Sequence, residues 1–296
     1  MVKTTTKNGK KPAAKAATKP AAKATKPAAK ATAPAVKASG ASDKSATKSA
    51  AKPADKASAK SARKTKAKSA KKSALMLSML KPSVNNMSVR VFARAETDVW
   101  GHTRSPEYMA RNPAHLTPMI EDKGLPRGVL WESCAIMQYL ANKHGLEKLY
   151  PKAPAKRAMI DSAMFYLIGT LYPYVARATY PALNFPQYAG EVGHSDAHPD
   201  KKAEAQKAAM TAIAEPLEVF HSFFRNGKPF IGGKNPSIAD IRLAATLEFL
   251  AAIDYALPQW AKEYMAAIEK KLGKAYAEPA ADVRGYIAYV KSQAGA

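Results

Sequence analysis

Two sets of residues in this 296-residue chain are spaced for chemistry, and they lie far apart. The first is a ladder of cations: Lys11, Lys15, Lys19, Lys23, Lys26 and Lys30, then Arg63, Lys64, Lys66, Lys68, Lys71 and Lys72. Cations a few residues apart on an extended chain can each meet a phosphate and release its counterions, with no base readout. The second is the pair Glu132-Ser133, at the start of an amphipathic stretch. Unbonded N–H groups, a hydroxyl and the helix dipole favour a carboxylate there. Plain helix capping explains the same pair, and both roles can hold at once. Cys134, the chain's one cysteine, also sits near that helix start, where a thiol pKa can fall; packing explains it as well. His194, Asp196, His198 and Asp200 put four metal-ligand types within one short stretch. Their spacing fits no standard zinc pattern, so the stretch reads as an interhelical loop and no metal is expected.

Behind the cation ladder stands a low-complexity arm, residues 1–72. It holds 20 Lys and 1 Arg against Asp43 and Asp55, a net +19 of the chain's +24. Lys-Pro-Ala-Ala-Lys-Ala recurs at 11–16, 19–24 and 26–31, and the first aromatic residue is Phe92. Without large apolar side chains the arm cannot offset an ordering cost of about 1–2 kcal/mol per residue, so disorder is expected. The composition resembles linker-histone tails, which implies binding to nucleic acid or another polyanion. The absence of aromatics argues against binding by base stacking. Basic strings at Lys10-Lys11-Pro12 and 62–68 resemble nuclear import signals, so a nuclear or cytoplasmic location is expected, with a DNA-containing organelle as the alternative. No apolar run reaches the ~20 residues of a membrane span.

The remaining residues divide into an α/β part, 73–150, and an all-helical part, 151–296. Ser88–Arg94 alternates and is β-branched, which predicts a strand. Ser105-Pro106 opens a short helix, 117–121 and 128–131 predict two short strands around a turn, and Ser133–His144 predicts an amphipathic helix ended by Gly145. Helices are predicted over 155–172, 201–225, 237–253, 258–272 and 281–291, with breaks at Pro173 and Pro216.

Three strings in this body resemble the glutathione transferase superfamily. Asn112-Pro113 through Thr117-Pro118-Met119-Ile120-Glu121-Asp122 is similar to the approach to that family's third strand, whose proline is cis. Trp131-Glu132-Ser133-Cys134-Ala135-Ile136 resembles its Glu/Gln-Ser-x-Ala-Ile signature, and Ser237-Ile238-Ala239-Asp240 its helix cap in the C-terminal domain. The character is closest to theta-like transferases and to the transferase-like domain of translation elongation factor one gamma. The resemblance implies a thioredoxin-like domain followed by a helical C-terminal domain, and a homodimer or partner docking through the body. It also implies a thiol ligand, glutathione or a relative, with Thr117 and Pro118 presenting main chain to its cysteinyl backbone and Glu132 and Ser133 holding its γ-glutamyl end. Ser237 and Asp240 are a structural cap. Tyr166, Tyr172, Tyr174 and Tyr180 fall where the family lines its electrophile pocket, or else pack helices.

In the family an activating Tyr, Ser or Cys follows the first strand. If 88–94 is the second strand, Ser73 and Ser78 are the only nearby hydroxyl candidates with apolar neighbours, in a stretch read as a helix remnant. The thioredoxin-like domain is then truncated and no catalytic residue is expected. The function expected from sequence is a non-catalytic scaffold that meets nucleic acid through its arm. The alternatives are a glutathione transferase with the arm as an address, and an elongation-factor-like scaffold. Deleting residues 1–72 is expected to abolish tight, salt-sensitive DNA or RNA binding by the purified protein. Binding that survives deletion would remove that role from the arm.

Overall fold

The computed structural model of the chain describes residues 75–93, 96–99, 101–185 and 199–294. The cationic arm and the stretch from His194 to His198 lie outside those residues. The first described element corrects the sequence reading. Met76–Met79 is a strand, β1, with Leu77, Ser78 and Met79 buried. Ser88–Ala93 is no strand: it falls in helix α1 (Val84–Arg90) and the turn after it, and Arg94 lies outside the described residues. Val84, Met87 and Val91 recur at helical spacing beneath the alternation of Ser88–Arg94, and Val84 and Met87 are fully buried. Packing therefore overrides the strand preference of valine.

From there the chain runs through β2 (Glu96–Asp98), α2 (Pro106–Arg111), β3 (Met119–Glu121), β4 (Val129–Trp131) and α3 (Ser133–Lys143). Helix α2 starts as expected, with the Ser105 hydroxyl accepting from the Tyr108 N–H and Pro106 at its first position. The sheet order is β2-β1-β3-β4, with β1 parallel to β2 and antiparallel to β3, and β3 antiparallel to β4. This is the thioredoxin-like arrangement expected, and with β1 in place it is not truncated.

The C-terminal half is helical, in α4 (Pro154–Tyr166), α5 (Tyr172–Thr179), α6 (Pro199–Ala212), α7 (Ala214–Val219), α8 (Ile238–Glu248), α9 (Gln259–Leu272) and α10 (Lys274–Ala294). Pro173 does not break its helix. A π-helical segment, Leu167–Leu171, precedes it and widens the turn that the proline ring would crowd. Pro216 acts as expected, since α6 ends at Ala212, whose carbonyl is the one a residue at 216 would have bonded. Among the described residues, no helix is long and apolar enough to cross a membrane.

One apolar core runs through both halves, from Leu77 and Met87 to Leu243, Leu247 and Ile287. Helix α1 joins them: it packs on α3, α8 and α10, and Arg90 pairs with Asp282 of α10 at 2.8 Å. At the start of α8 the Ser237–Asp240 capping box is present as expected. Asp240 is fully buried and also accepts from the N–H groups of Ile231 and Gly232 and from the Tyr264 hydroxyl, so the box ties three segments together.

The β3–β4 turn is held by Asp122, which accepts from Lys143, from the Gly124 N–H at 2.9 Å and from the Tyr139 hydroxyl at 3.1 Å. The Lys143 bond, then the Gly124 N–H, hold its carboxyl below the usual carboxylate range. A depressed folded-state pKa gives stability that is present above the unfolded value of about 3.9 and lost as pH falls through the folded one. D122N is therefore expected to cost about 1 kcal/mol at pH 7 in denaturant titrations, with the deficit closing as pH falls below the ordinary carboxylate range. A deficit independent of pH would contradict this assignment.

Candidate functional site

Strand register brings the candidate residues to one end of the sheet. Ser78 of β1 pairs with Met119 of β3, and Met119 pairs with Trp131 of β4. One and two steps back from Met119 are Pro118 and Thr117, at the end of the sheet where the chain leaves β1. One and two steps on from Trp131 are Glu132 and Ser133. Thr117, Glu132 and Ser133 thus lie at the same end of the sheet. The Thr117–Pro118 peptide is cis, as the resemblance implied, and leaves the Thr117 main chain at the strand's margin.

Glu132 is exposed and has φ 75, ψ 111, a conformation costly for a residue with a Cβ. Backbone strain of this kind concentrates where side chains must be aimed for function. It turns the chain sharply from β4 into α3, leaving Ser133 as the first helical residue. Glu132 makes no capping bond with its side chain. The first N–H groups of α3, the Ser133 hydroxyl and the N-terminal dipole together suit a carboxylate.

Sequence reasoning missed one residue here. After β1 the chain turns at Lys81-Pro82, and Ser83 follows as the N-cap of α1. Its N–H donates to the Leu80 carbonyl at 3.1 Å and its carbonyl accepts from Met87 at 2.8 Å. Its hydroxyl does not cap the helix, the usual use of a serine in that place. The expected absence of a hydroxyl after the first strand is therefore corrected: Ser83 occupies that position. Ser78, one of the two weighed from sequence, lies within β1, and Ser73 lies outside the described residues. The missed signal was Pro82-Ser83 before a helical 84/87/91 pattern.

Two family models match this body: the glutathione S-transferase N-terminal domain over residues 91–142 and the C-terminal domain over 163–271, together more than half of the chain. The chain belongs to the glutathione transferase superfamily. A glutathione transferase of Bombyx mori is 27% identical, covering 74% of this chain and 97% of its own, with a TM-score of 0.56. A delta-class glutathione transferase of Nilaparvata lugens is 26% identical over 73% of this chain and 99% of its own, at 0.55. Human glutathione-S-transferase T1-1, at 21% identity, covers 74% and 91% with a TM-score of 0.58, and shares the fold. The N-terminal family match begins at Val91, beyond β1 and α1. Ser83 is thus placed by the sheet and not by the sequence match.

In this transferase fold the tyrosines weighed from sequence have structural partners. The Tyr166 ring packs 5.6 Å from Phe220 and 5.7 Å from Phe224. Tyr172 and Tyr180 share a hydroxyl hydrogen bond of 2.8 Å, and Tyr172 also accepts from the Asn85 amide at 2.8 Å. Tyr174 is half-buried against the core. Among the described residues, no group of three or more His, Cys, Asp or Glu is arranged to hold a metal.

Cys134 is buried, and burial pushes its thiol up, against an opposing effect of the nearby Arg242 guanidinium. A protonated, covered thiol is a poor nucleophile despite its place near a helix start. Iodoacetamide at pH 7.5 is expected to label it slowly in the folded protein and rapidly after unfolding, as read by intact mass. Fast labelling of the folded protein would contradict a packing role.

Proposed function

We propose that the body binds glutathione, or a closely related γ-glutamyl thiol peptide, and conjugates it to an electrophile with Ser83 as the residue that activates the thiol. The observation that carries this reading is the common end of the sheet at which these groups fall: Ser83 caps α1 just after β1, Asn86 of the same turn bonds Thr117, and the register carries Thr117 and Glu132-Ser133 past the paired Met119 and Trp131. The start of α3 takes the γ-glutamyl end. The Thr117 N–H and C=O pair with the cysteinyl backbone as another strand would. The sulfur then lies toward the turn that carries Ser83, whose hydroxyl donates to it and favours the thiolate. The thiol proton leaves to solvent, and the thiolate attacks the carbon of an aryl halide, forming the S–C bond as the C–halogen bond breaks and halide departs to solvent.

The expectation of a non-catalytic body rested on a missing first strand, and with β1 present that basis is gone. The arm keeps its proposed role as a tether to nucleic acid or another polyanion, supported by its net charge of +19. A nuclear or cytoplasmic site of action and a homodimeric body remain part of the proposal. An elongation-factor-like scaffold shares the fold, and differs in predicting glutathione-independent partners and no conjugation.

The test is retention on immobilised glutathione and turnover of a standard aryl halide. Parent protein is expected to do both, and S83A to keep its affinity while losing about 10–100-fold in kcat. Parent turnover no faster than buffer would overturn the catalytic reading, and failure to bind glutathione would overturn both parts.

A further inference from the structure

The first turn of α1 carries two adjacent asparagines that face different neighbours. Asn85 reaches the helical half: its amide donates to the Tyr172 hydroxyl at 2.8 Å, and its carbonyl oxygen accepts from Arg242 of α8. Asn86 reaches the sheet: its Nδ2 donates to Thr117 Oγ1 at 3.0 Å. Asn86 is fully buried, and its Oδ1 meets no hydrogen-bond partner among the described residues. A buried acceptor without a partner costs about 1–3 kcal/mol, which an apolar side chain of similar volume does not incur. The fold of α1 therefore gains little from an asparagine at this position. What the residue supplies is a direct bond from the turn that begins at Ser83 to the residue whose main chain borders the cis-proline.

We propose that Asn86 is a positioning residue for thiol activation, fixing the Ser83 turn against Thr117 so that hydroxyl and peptide-binding edge keep one separation. The proposal rests on the glutathione reading above. Ser83 lies three residues before Asn86, on a rigid helical turn, so a shift at Asn86 moves the hydroxyl with it. The Thr117 N–H and C=O are main-chain groups and stay in place when the side-chain bond is lost. Loss of the bond should then leave binding largely intact and weaken the hydrogen bond to sulfur. Misplacement of a reacting group by about 1 Å is enough to lower rates by as much as 100-fold.

The experiment compares full-length parent, N86L, T117V and the double variant by thermal melting, glutathione calorimetry, and the pH profile of kcat. Leucine repeats asparagine's branched skeleton of four side-chain heavy atoms without its polar groups, and N86L is expected to fold and to melt close to the parent temperature. Its glutathione Kd should stay within about threefold while kcat falls about tenfold and the alkaline-rising limb of the profile moves up by about one pH unit. T117V should show the same shift, and the double variant should be no worse than the more impaired single, because both remove one bond. An N86L protein with parent kcat and parent pH profile would overturn the proposal while leaving the glutathione reading intact. If N86L does not fold, T117V decides in the same terms, its unchanged profile counting against the proposal. A parent protein that does not bind glutathione removes both readings together.

Discussion

Helix α1 has seven residues, well short of the ~12–15 an isolated helix needs in water, so its position comes wholly from what it packs against. Its buried side includes Val84, Met87 and Val89, set among α3, α8 and α10. Asn85 and Asn86 then fix its first turn to the helical half and to the cis-proline loop. The rest of the site follows from this dependence. β1 and β2 run parallel because α1 crosses between them, β3 and β4 add to the β1 edge, and the register delivers Thr117 and Glu132 to the end where α1 begins. A single continuous core is what allows a residue of the helical half, Arg242, to bear on a turn of the sheet domain.

Arg242 shows the cost of that arrangement. The side chain is almost wholly buried, its guanidinium lies 4.9 Å from the Tyr172 ring centroid, and it bonds Thr246 and Asn85. A buried cation is expensive unless polar groups and aromatic faces replace its water; here an asparagine, a threonine and a tyrosine do so in part, and the Arg242 Nε–H meets no hydrogen-bond partner among the described residues. At the other end of α8, Glu248 is buried too, but it has a charged partner in Arg284 and a hydroxyl donor in Tyr276. The proximal charge is thus solvated by neutral dipoles, and the distal one is balanced by an ion pair.

Much of this was legible in the sequence because the relevant residues signal locally. Ser105-Pro106 and Ser237-Ile-Ala-Asp240 are caps, Thr117-Pro118 precedes a strand, and Glu132-Ser133 sits where a strand gives way to a helix; each appears in the structure where the pattern put it. β1 was not legible. It is a four-residue strand, Met-Leu-Ser-Met, without a β-branched residue and close behind a polycation, and it is held as a strand only by neighbours on both sides. The strand read at Ser88–Arg94 failed for the converse reason, since its valines alternate while tertiary burial selects the helical spacing. One misplaced element displaced the turn after β1, so Ser83 was not legible in the sequence although Thr117 and Glu132-Ser133 were.

The most direct test of the central claim is a crystal structure of the protein with glutathione. The cysteinyl backbone is expected to pair with the Thr117 N–H and C=O, the γ-glutamyl carboxylate to sit at the start of α3, and the sulfur to lie about 3.0–3.5 Å from Ser83 Oγ. Glutathione seated elsewhere, or with its sulfur turned away from Ser83, would contradict it.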